Sequence, residues 1–344
     1  MNITLVVPTL NRPNHLLRLL RYYDSIGFSG NIIVGDSSDI NTFNKVNLSL
    51  LKYLNRLSIN HIFFPNLTPA AVMREVSHLI TTDYVCCLPD DDFIVPKAIQ
   101  SCIDFLAIKS EFAAAHGKGY VVHGVPNKPN KISFVPYKQA VVEESQSIDR
   151  VTNYLENYSV SLFSVMRTAN WVKIFSKIPD SKIDPNCCDR AFIDELLPNV
   201  MLVASGKIKE LDNIYLVRQD HDARYLLPNW FEWIVQPVWA TTYMYFRKQV
   251  LDVIDSEVKF DVVSALKKFD QSFSIYLKKF MLQDHRSFLE FRLFINRKPF
   301  LKNLILKTKL TYTFFYDILN ENRVHHEDLN AIIEIISEKK HELY

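Results

Sequence analysis

The sequence has few glycines and lacks the patterns of the commonest nucleotide-binding classes. Only seven glycines occur among its 344 residues. No GxGxxG or GxxxxGK[ST] pattern follows an apolar run, which argues against a classical dinucleotide site and against a P-loop. The 40 basic and 38 acidic residues nearly balance, so no net charge draws the chain to nucleic acid.

Long apolar runs and paired cysteines are also missing. No stretch reaches the roughly 18 apolar residues that a spanning helix needs, and "MNITLVVPTLNRP" has no basic stretch before its apolar run, as a signal peptide would. No CxxC spacing, and hence no zinc pattern, occurs among the five cysteines, which are Cys86, Cys87, Cys102, Cys187 and Cys188. These features predict a soluble, cytoplasmic protein with reduced thiols.

In the first ninety residues, apolar runs alternate with helical patterns. The runs that predict strands are "ITLVV" (3–7), "NIIVGD" (31–36), "HIFF" (61–64) and "YVCCL" (84–88). Such alternation predicts right-handed crossovers and a parallel sheet, whose ligands gather beyond the carboxyl ends of the strands. Because "PTLNRP", "GDSSD" and "PDDDF" follow three of these runs, we expect three polar loops to meet at one edge of the sheet.

Further along the chain the patterns are mixed and then mainly helical. Helices are predicted over 97–109, 149–157, 166–177 and 189–197, the last between Pro185 and Pro198. Residues 112–145 mix short strands with turns, and 206–224 indicate strands that run into a polar loop. From about residue 229 the pattern is mostly helical.

Three consecutive aspartates, Asp90, Asp91 and Asp92, stand between two apolar runs in "LPDDDF" (88–93). Mg²⁺ and Mn²⁺ take oxygen ligands, typically one or two carboxylates together with substrate phosphates. A strand that ends in clustered aspartates can present them in that way, so the stretch predicts a metal site. The alternative is a solvated turn in which one aspartate caps the helix near Pro96.

The order and separation of "VVPTLNR", "VGDSSD" and "LPDDDF" resemble those of GT-A-fold glycosyltransferases, in particular family 2. The resemblance covers roughly residues 1–225. It implies a Rossmann-like, mostly parallel sheet flanked by helices, in a domain over 1–228. Residues 1–95 would bind the nucleotide-sugar, 96–228 would form the acceptor side, and 229–344 a helical C-terminal region.

The resemblance also implies an activity, which is transfer of a sugar from a nucleotide-sugar to a glycan or lipid-linked glycan acceptor. Inversion at the sugar and a role in bacterial surface polysaccharide synthesis are expected. The DxD motif would bind Mn²⁺ or Mg²⁺ through Asp90 and Asp92. Counted from the start of the strand, Pro89 instead takes the place of the first aspartate, which leaves Asp91 and Asp92.

Other site residues follow from the same resemblance. Asp36, at the end of the second strand, would accept hydrogen bonds from the nucleoside, although it could instead close an Asx turn. Five further residues are expected at the nucleotide-sugar: Thr9, Asn11, Arg12, Arg74 and, after the acceptor-side strands, Arg218. In "RQDHDAR", His221 would complete the metal site and Arg224 would help to neutralise phosphate.

The general base for the acceptor hydroxyl is expected in "CCDRAFIDELLP". Asp189 lies 97 residues after Asp92, where the family carries an "ED" pair, but Cys188 replaces the glutamate. Glu195 and Asp194 compete for the role. The alternative is that Asp189 only caps its helix and that the later acids are solvated.

A basic, aromatic segment occupies residues 266–310, with eleven Lys and Arg residues against three acids. Packing onto the catalytic domain is the first interpretation, and docking on the inner face of an anionic membrane is the second. Two other functions compete with sugar transfer. One is a sugar-1-phosphate nucleotidyltransferase, which would need a glycine-rich loop after the first strand; the other is an inactive domain that binds glycan or nucleotide. The oligomeric state stays open.

Overall fold

A computed structural model describes residues 1–53, 56–123, 133–183, 192–220, 234–255, 262–283 and 325–337. Its N-terminal half alternates strands and helices as predicted. The elements are β1 (Ile3–Thr9), α1 (Pro13–Ser25), β2 (Asn31–Asp36), α2 (Ile40–Tyr53), β3 (Ser58–Phe63), α3 (Pro69–Val76) and β4 (Tyr84–Cys87). The four strands are parallel, in the order β3-β2-β1-β4.

The second half of the sheet is mixed. Its elements are β5 (Phe93–Ile94), α4 (Pro96–Ile108), β6 (Phe112–His123), β7 (Ser133–Tyr137), α5 (Ser147–Glu156), β8 (Val165–Arg167), α6 (Thr168–Phe175), α7 (Leu197–Ser205) and β9 (Lys207–Gln219). The sheet continues from β4 through β8, β6 and β9 to β5, with β7 on β6. Among the described strand pairs of this half, β6–β9 is parallel and the others are antiparallel. The predicted α/β class, with a Rossmann-like parallel half, is confirmed.

The packing of α3 over β2 depends on a cap and on one glycine. The Thr68 hydroxyl accepts a hydrogen bond from the Ala71 amide, and Pro69 occupies the first turn, where its missing N–H costs nothing. A Cβ on Gly35 would lie 2.1 Å from a methyl of Val72. Glycine at this point lets the buried face of α3 approach the strand that ends in Asp36.

After β9 the described residues form three further helices: α8 (Trp239–Asp255), α9 (Val262–Gln283) and α10 (His325–Ser337). Helix α9 packs against α5 and buries Phe269, Phe273 and Tyr276 in the same core as the sheet. Packing onto the rest of the chain is therefore confirmed for the part of segment 266–310 up to residue 283. Residues 284–310 lie outside the described residues, and membrane docking stays a prediction.

One predicted helix boundary was wrong. The helix expected over 189–197 was to end before Pro198, yet α7 runs from Leu197 to Ser205 with that proline in its first turn. Proline is tolerated there because the first-turn amides have no partner within the helix. A π-helical turn, Phe192–Leu196, leads into α7. No helix among the described residues is long and apolar enough to cross a membrane.

Candidate active site

A cavity of about 480 Å³ opens beside the ends of β1 and β4. Its polar lining includes Thr9, Arg12, Asp90, Asp91, Glu195 and Arg218. These side chains come from the N-terminal half, the π-helical turn and β9. Residues far apart in the sequence therefore meet at the carboxyl edge of the parallel strands, as expected for this type of sheet.

The three polar loops predicted to converge are hydrogen-bonded to one another. The Thr9 hydroxyl donates to Asp90 Oδ2 at 2.7 Å, and the Ser37 amide donates to the Thr9 carbonyl at 2.9 Å. The Asn11 amide donates to Ser38 Oγ at 2.6 Å. Asn11 has a φ of 52°, a left-handed conformation that Asn tolerates better than most residues. It turns the chain from β1 into α1 and thereby places Arg12 over the cavity.

Arg12 bridges the two aspartates that line the cavity. Its Nη1 lies 3.0 Å from Asp90 Oδ1 and 2.9 Å from Asp91 Oδ2. Burial, and then repulsion from Asp91, raises the pKa of Asp90, while Arg12 and the Thr9 hydroxyl oppose the rise. The ionised form of these two buried carboxylates therefore depends on nearby positive charge.

Asp92 is paired with Arg218 and is not among the residues that line this cavity. The antiparallel register Phe93↔Val217 between β5 and β9 places the two residues side by side, and Arg218 Nε donates to Asp92 Oδ2 at 2.7 Å. Burial raises the pKa of Asp92, although Arg218 lowers it. The predicted role of Asp92 as a metal ligand stays a prediction.

Arg218 reaches the cavity between two aromatic rings. Its guanidinium carbon lies 4.7 Å from the Tyr137 ring centroid and 5.1 Å from that of Phe163. Burial alone would lower the pKa of Arg218, but the attraction of Asp92 and Tyr137 raises it overall. A permanently charged, stacked guanidinium therefore faces the space beside the aspartates.

Arg18 is a site residue that sequence reasoning missed. It lies on α1, its guanidinium carbon is 5.3 Å from the Phe93 ring centroid, and all three aspartates attract it. Desolvation nevertheless lowers its pKa overall. Its Nε and Nη2 atoms are buried without a hydrogen-bond partner among the described residues. No local pattern indicates this position, because an arginine in a helix is most often solvated.

Asp36 is buried one residue before Ser37, which lines the cavity. Its Oδ1 accepts from the Ser38 amide at 2.9 Å, so the Asx turn weighed for this residue is present. Its Oδ2 lies 2.9 Å from Nε2 of His61, whose Nδ1 lies 2.7 Å from Asn47 Oδ1. His61, unnoticed in the sequence, thus fixes the carboxylate, while contact with a nucleoside stays a prediction.

Glu195 is the described acid best placed to act as a base. It lies on the π-helical turn, lines the cavity, and accepts a hydrogen bond from the Tyr158 hydroxyl at 2.7 Å. Burial raises its pKa, while Tyr158 and Arg218 oppose the rise. The neighbouring Asp194 also lines the cavity, but its Oδ1 accepts from the Ala70 amide at 3.3 Å at the start of α3.

Arg74 has other partners in the structure, and its expected place at the nucleotide-sugar stays a prediction. Its guanidinium contacts Glu75, Asp180 and the Ile178 carbonyl, and it does not line this cavity. Pro69 and Met73, four residues apart on α3, face the cavity instead. The next residue is turned by about 100°, which carries Arg74 away.

A divalent cation can be tested against the donor set that is present. Asp90 and Asp91 offer the oxygen donors that Mg²⁺ and Mn²⁺ prefer, and burial makes their negative charge costly without a cation. Among the described residues, no three His, Cys, Asp or Glu side chains converge to hold an ion. The site therefore fits an ion that takes its remaining ligands from phosphate and water. The predicted base Asp189, the ligand His221 and the phosphate-binding Arg224 lie outside the described residues.

The parallel strands β3-β2-β1-β4 and the acidic turn after β4 agree with the α/β fold expected from the sequence motifs. No family model matches the sequence, and no curated protein matches it. Among solved structures, TarS 1–349 of S. aureus in complex with UDP-GlcNAc is similar, at 18% identity over 79% of this chain and 82% of that one, with a TM-score of 0.47.

Two other similar structures show the same low level of likeness. TarS 1–349 in complex with UDP has 15% identity over 83% of this chain and 93% of that one, with a TM-score of 0.45. The CMP:2-keto-3-deoxy-manno-octonic acid synthetase complexed with CTP has 12% identity over 62% and 90%, with a TM-score of 0.36. Likeness at this level concerns the course of the chain and does not define an activity.

Proposed function

We propose that this protein is a divalent-cation-dependent glycosyltransferase that moves a sugar from a nucleotide-sugar donor to a hydroxyl of a glycan or lipid-linked glycan. The observation that carries the proposal is one cavity with two kinds of acid. Asp90 and Asp91, under Arg12, lie at the ends of the parallel strands, while Glu195 enters from the π-helical turn. The first pair suits a diphosphate-bound cation and the second acid suits proton removal.

The donor is expected on the side of β1 and β2. There Thr9, Arg12 and Ser37 line the cavity, and Asp36 is fixed behind them. The cation, held by Asp91 and Asp90, would supply positive charge where negative charge grows on the leaving nucleoside diphosphate. Arg12 and Arg218 add fixed guanidinium charge at the same place.

The acceptor hydroxyl is expected beside Glu195. A carboxylate with a raised pKa is a stronger base than an ordinary one. It serves general-base catalysis better, because its pKa lies nearer to the pH at which the enzyme operates. Tyr158 holds one carboxylate oxygen, which leaves the rest of the group to face the cavity. Direct attack by the activated hydroxyl would invert the sugar, in agreement with the prediction from the sequence.

The experiment is a screen of nucleotide-sugars for release of nucleoside diphosphate, with Mn²⁺ and with a chelator. UDP-GlcNAc belongs in the panel because TarS was solved with it. Asp91→Asn should lose about 10²-fold or more of the activity, because it removes one of the two carboxylates expected to hold the cation. Asp104→Asn, on the exposed side of α4, is the matched control. A fully active Asp91→Asn variant would overturn the site assignment.

A further inference from the structure

Arg12 sits where a cation between the two cavity carboxylates would sit. A single nitrogen, Nη1, lies within 3.0 Å of oxygens from both Asp90 and Asp91. The Arg12 side chain is 17% exposed, so the contact is largely shielded from solvent. Asn11, the residue before Arg12, is held by two hydrogen bonds: its amide donates to Ser38 Oγ, and its side-chain Oδ1 accepts from the Asp39 amide. Asp90 and Asp91 therefore already have a positive partner supplied by the chain itself.

The cluster as a whole is balanced in charge. Asp90, Asp91 and Asp92 face Arg12 and Arg218 through ion pairs, and Arg18 adds a third guanidinium within their electrostatic reach. A divalent cation added to this cluster would leave it with excess positive charge. A diphosphate added by itself would leave excess negative charge at a place of low dielectric, where charges interact strongly. The two together add opposite charges and change the net charge of the cluster least.

We propose that Arg12 competes with the divalent cation for Asp90 and Asp91, and that the donor diphosphate relieves this competition by giving the guanidinium another anion to pair with. Arg12 thereby makes metal binding depend on nucleotide binding. The inference rests on the proposed function for the identity of the ligands. It goes beyond that function by assigning one residue the coupling between cation and nucleotide.

Free Mn²⁺ binding to the full chain tests the competition without any turnover. The electron paramagnetic resonance signal of unbound Mn²⁺ gives the dissociation constant for the wild type, for Arg12→Gln and for the control Arg56→Gln, whose arginine is 60% exposed and pairs with Asp24. Arg12→Gln should bind free Mn²⁺ about tenfold more tightly, because a charge-assisted contact no longer has to be broken. The control should match the wild type.

The second arm adds UDP at fixed Mn²⁺. Nucleotide should raise the Mn²⁺ affinity of the wild type by a larger factor than that of Arg12→Gln. Arg12→Met, which keeps the length of the side chain without its charge, carries the same expectation if the glutamine variant does not fold. The proposal would be overturned if both neutral variants bound Mn²⁺ no more tightly than the wild type.

The outcome is separable from that of the proposed function. If no nucleotide-sugar is turned over but the neutral variants gain Mn²⁺ affinity, competition by Arg12 stands and sugar transfer fails. If donors are turned over with Mn²⁺ but the variants show no gain, sugar transfer stands and the role of Arg12 fails.

Discussion

Replacement of Glu195 by glutamine tests proton removal from the acceptor hydroxyl separately from donor binding. Glutamine keeps the size of the side chain, and its amide oxygen can still accept from the Tyr158 hydroxyl, which now lies 2.7 Å from the carboxylate. It cannot take a proton from an acceptor. A positioned base contributes about 10²–10⁴-fold in rate, which equals about 3–5 kcal/mol of barrier.

Initial rates of nucleoside diphosphate release, with Mn²⁺ and saturating donor, measure this loss. The affinity for nucleoside diphosphate should stay within about twofold of the wild type, because the groups expected at the diphosphate are Arg12, Asp90 and Asp91. Glu111→Gln, an exposed residue that does not line the cavity, is the matched control and should keep full activity.

The same variant carries a pH signature. Because the folded protein raises the pKa of Glu195, its ionisation costs folding free energy as the pH rises through the folded pKa. Glutamine does not titrate, so urea denaturation should show Glu195→Gln gaining stability relative to the wild type between pH 4 and pH 8. A rate within threefold of the wild type, together with loss of activity in Asp189→Asn, would refute Glu195 as the base.

Two further variants test the surroundings of the site. Tyr158→Phe removes a hydrogen-bond donor that lowers the pKa of Glu195, so the acid limb of the kcat/KM profile should move to higher pH. Activity at pH 6 should fall about tenfold, which corresponds to the loss of one hydrogen bond to a charged group. An unmoved acid limb would show that Glu195 does not titrate in the profile. Arg218→Met leaves Asp92 buried without its ion-pair partner and should lower the free energy of unfolding in urea by about 3 kcal/mol or more. Adding Asp92→Asn should restore over half of that stability. Additive losses in the double variant would contradict the pairing.

Local patterns were sufficient to predict the N-terminal half of the fold. The run "NIIVGD" is the whole of β2, and Thr68 with Pro69 marks the start of α3. Strands covered on both faces have continuous apolar runs, and crossover helices have one apolar face, so both are visible in a short window. The three-residue strand β8 was missed, because it is too short to have a period and is defined only by its partners β4 and β6.

The same distinction holds in the candidate site. Thr9, Arg12, Asp90 and Asp91 could be placed at the cavity because they follow parallel strands, whose carboxyl ends share one edge. Residues whose partners are distant in the sequence left no local signal: Arg18, which the three aspartates attract, His61, which contacts Asp36, and Tyr158, which donates to Glu195. Arg74 does not line the cavity, because a single step along α3 from Met73 turns its side chain away.

The last described helix ties the end of the chain to its beginning. Ile332 and Ile336 of α10 are buried in the core that also contains Leu16 and Leu20, and α10 contacts α1, which begins immediately after Arg12. Each buried isoleucine contributes about 1.5–3 kcal/mol. A protein cut after α9 would expose the face of α1 that packs against α10. Arg12 directly precedes α1, so this change would lie next to the arginine proposed to compete with the cation. The helix that follows Arg12 is therefore held in part by residues near the other end of the sequence.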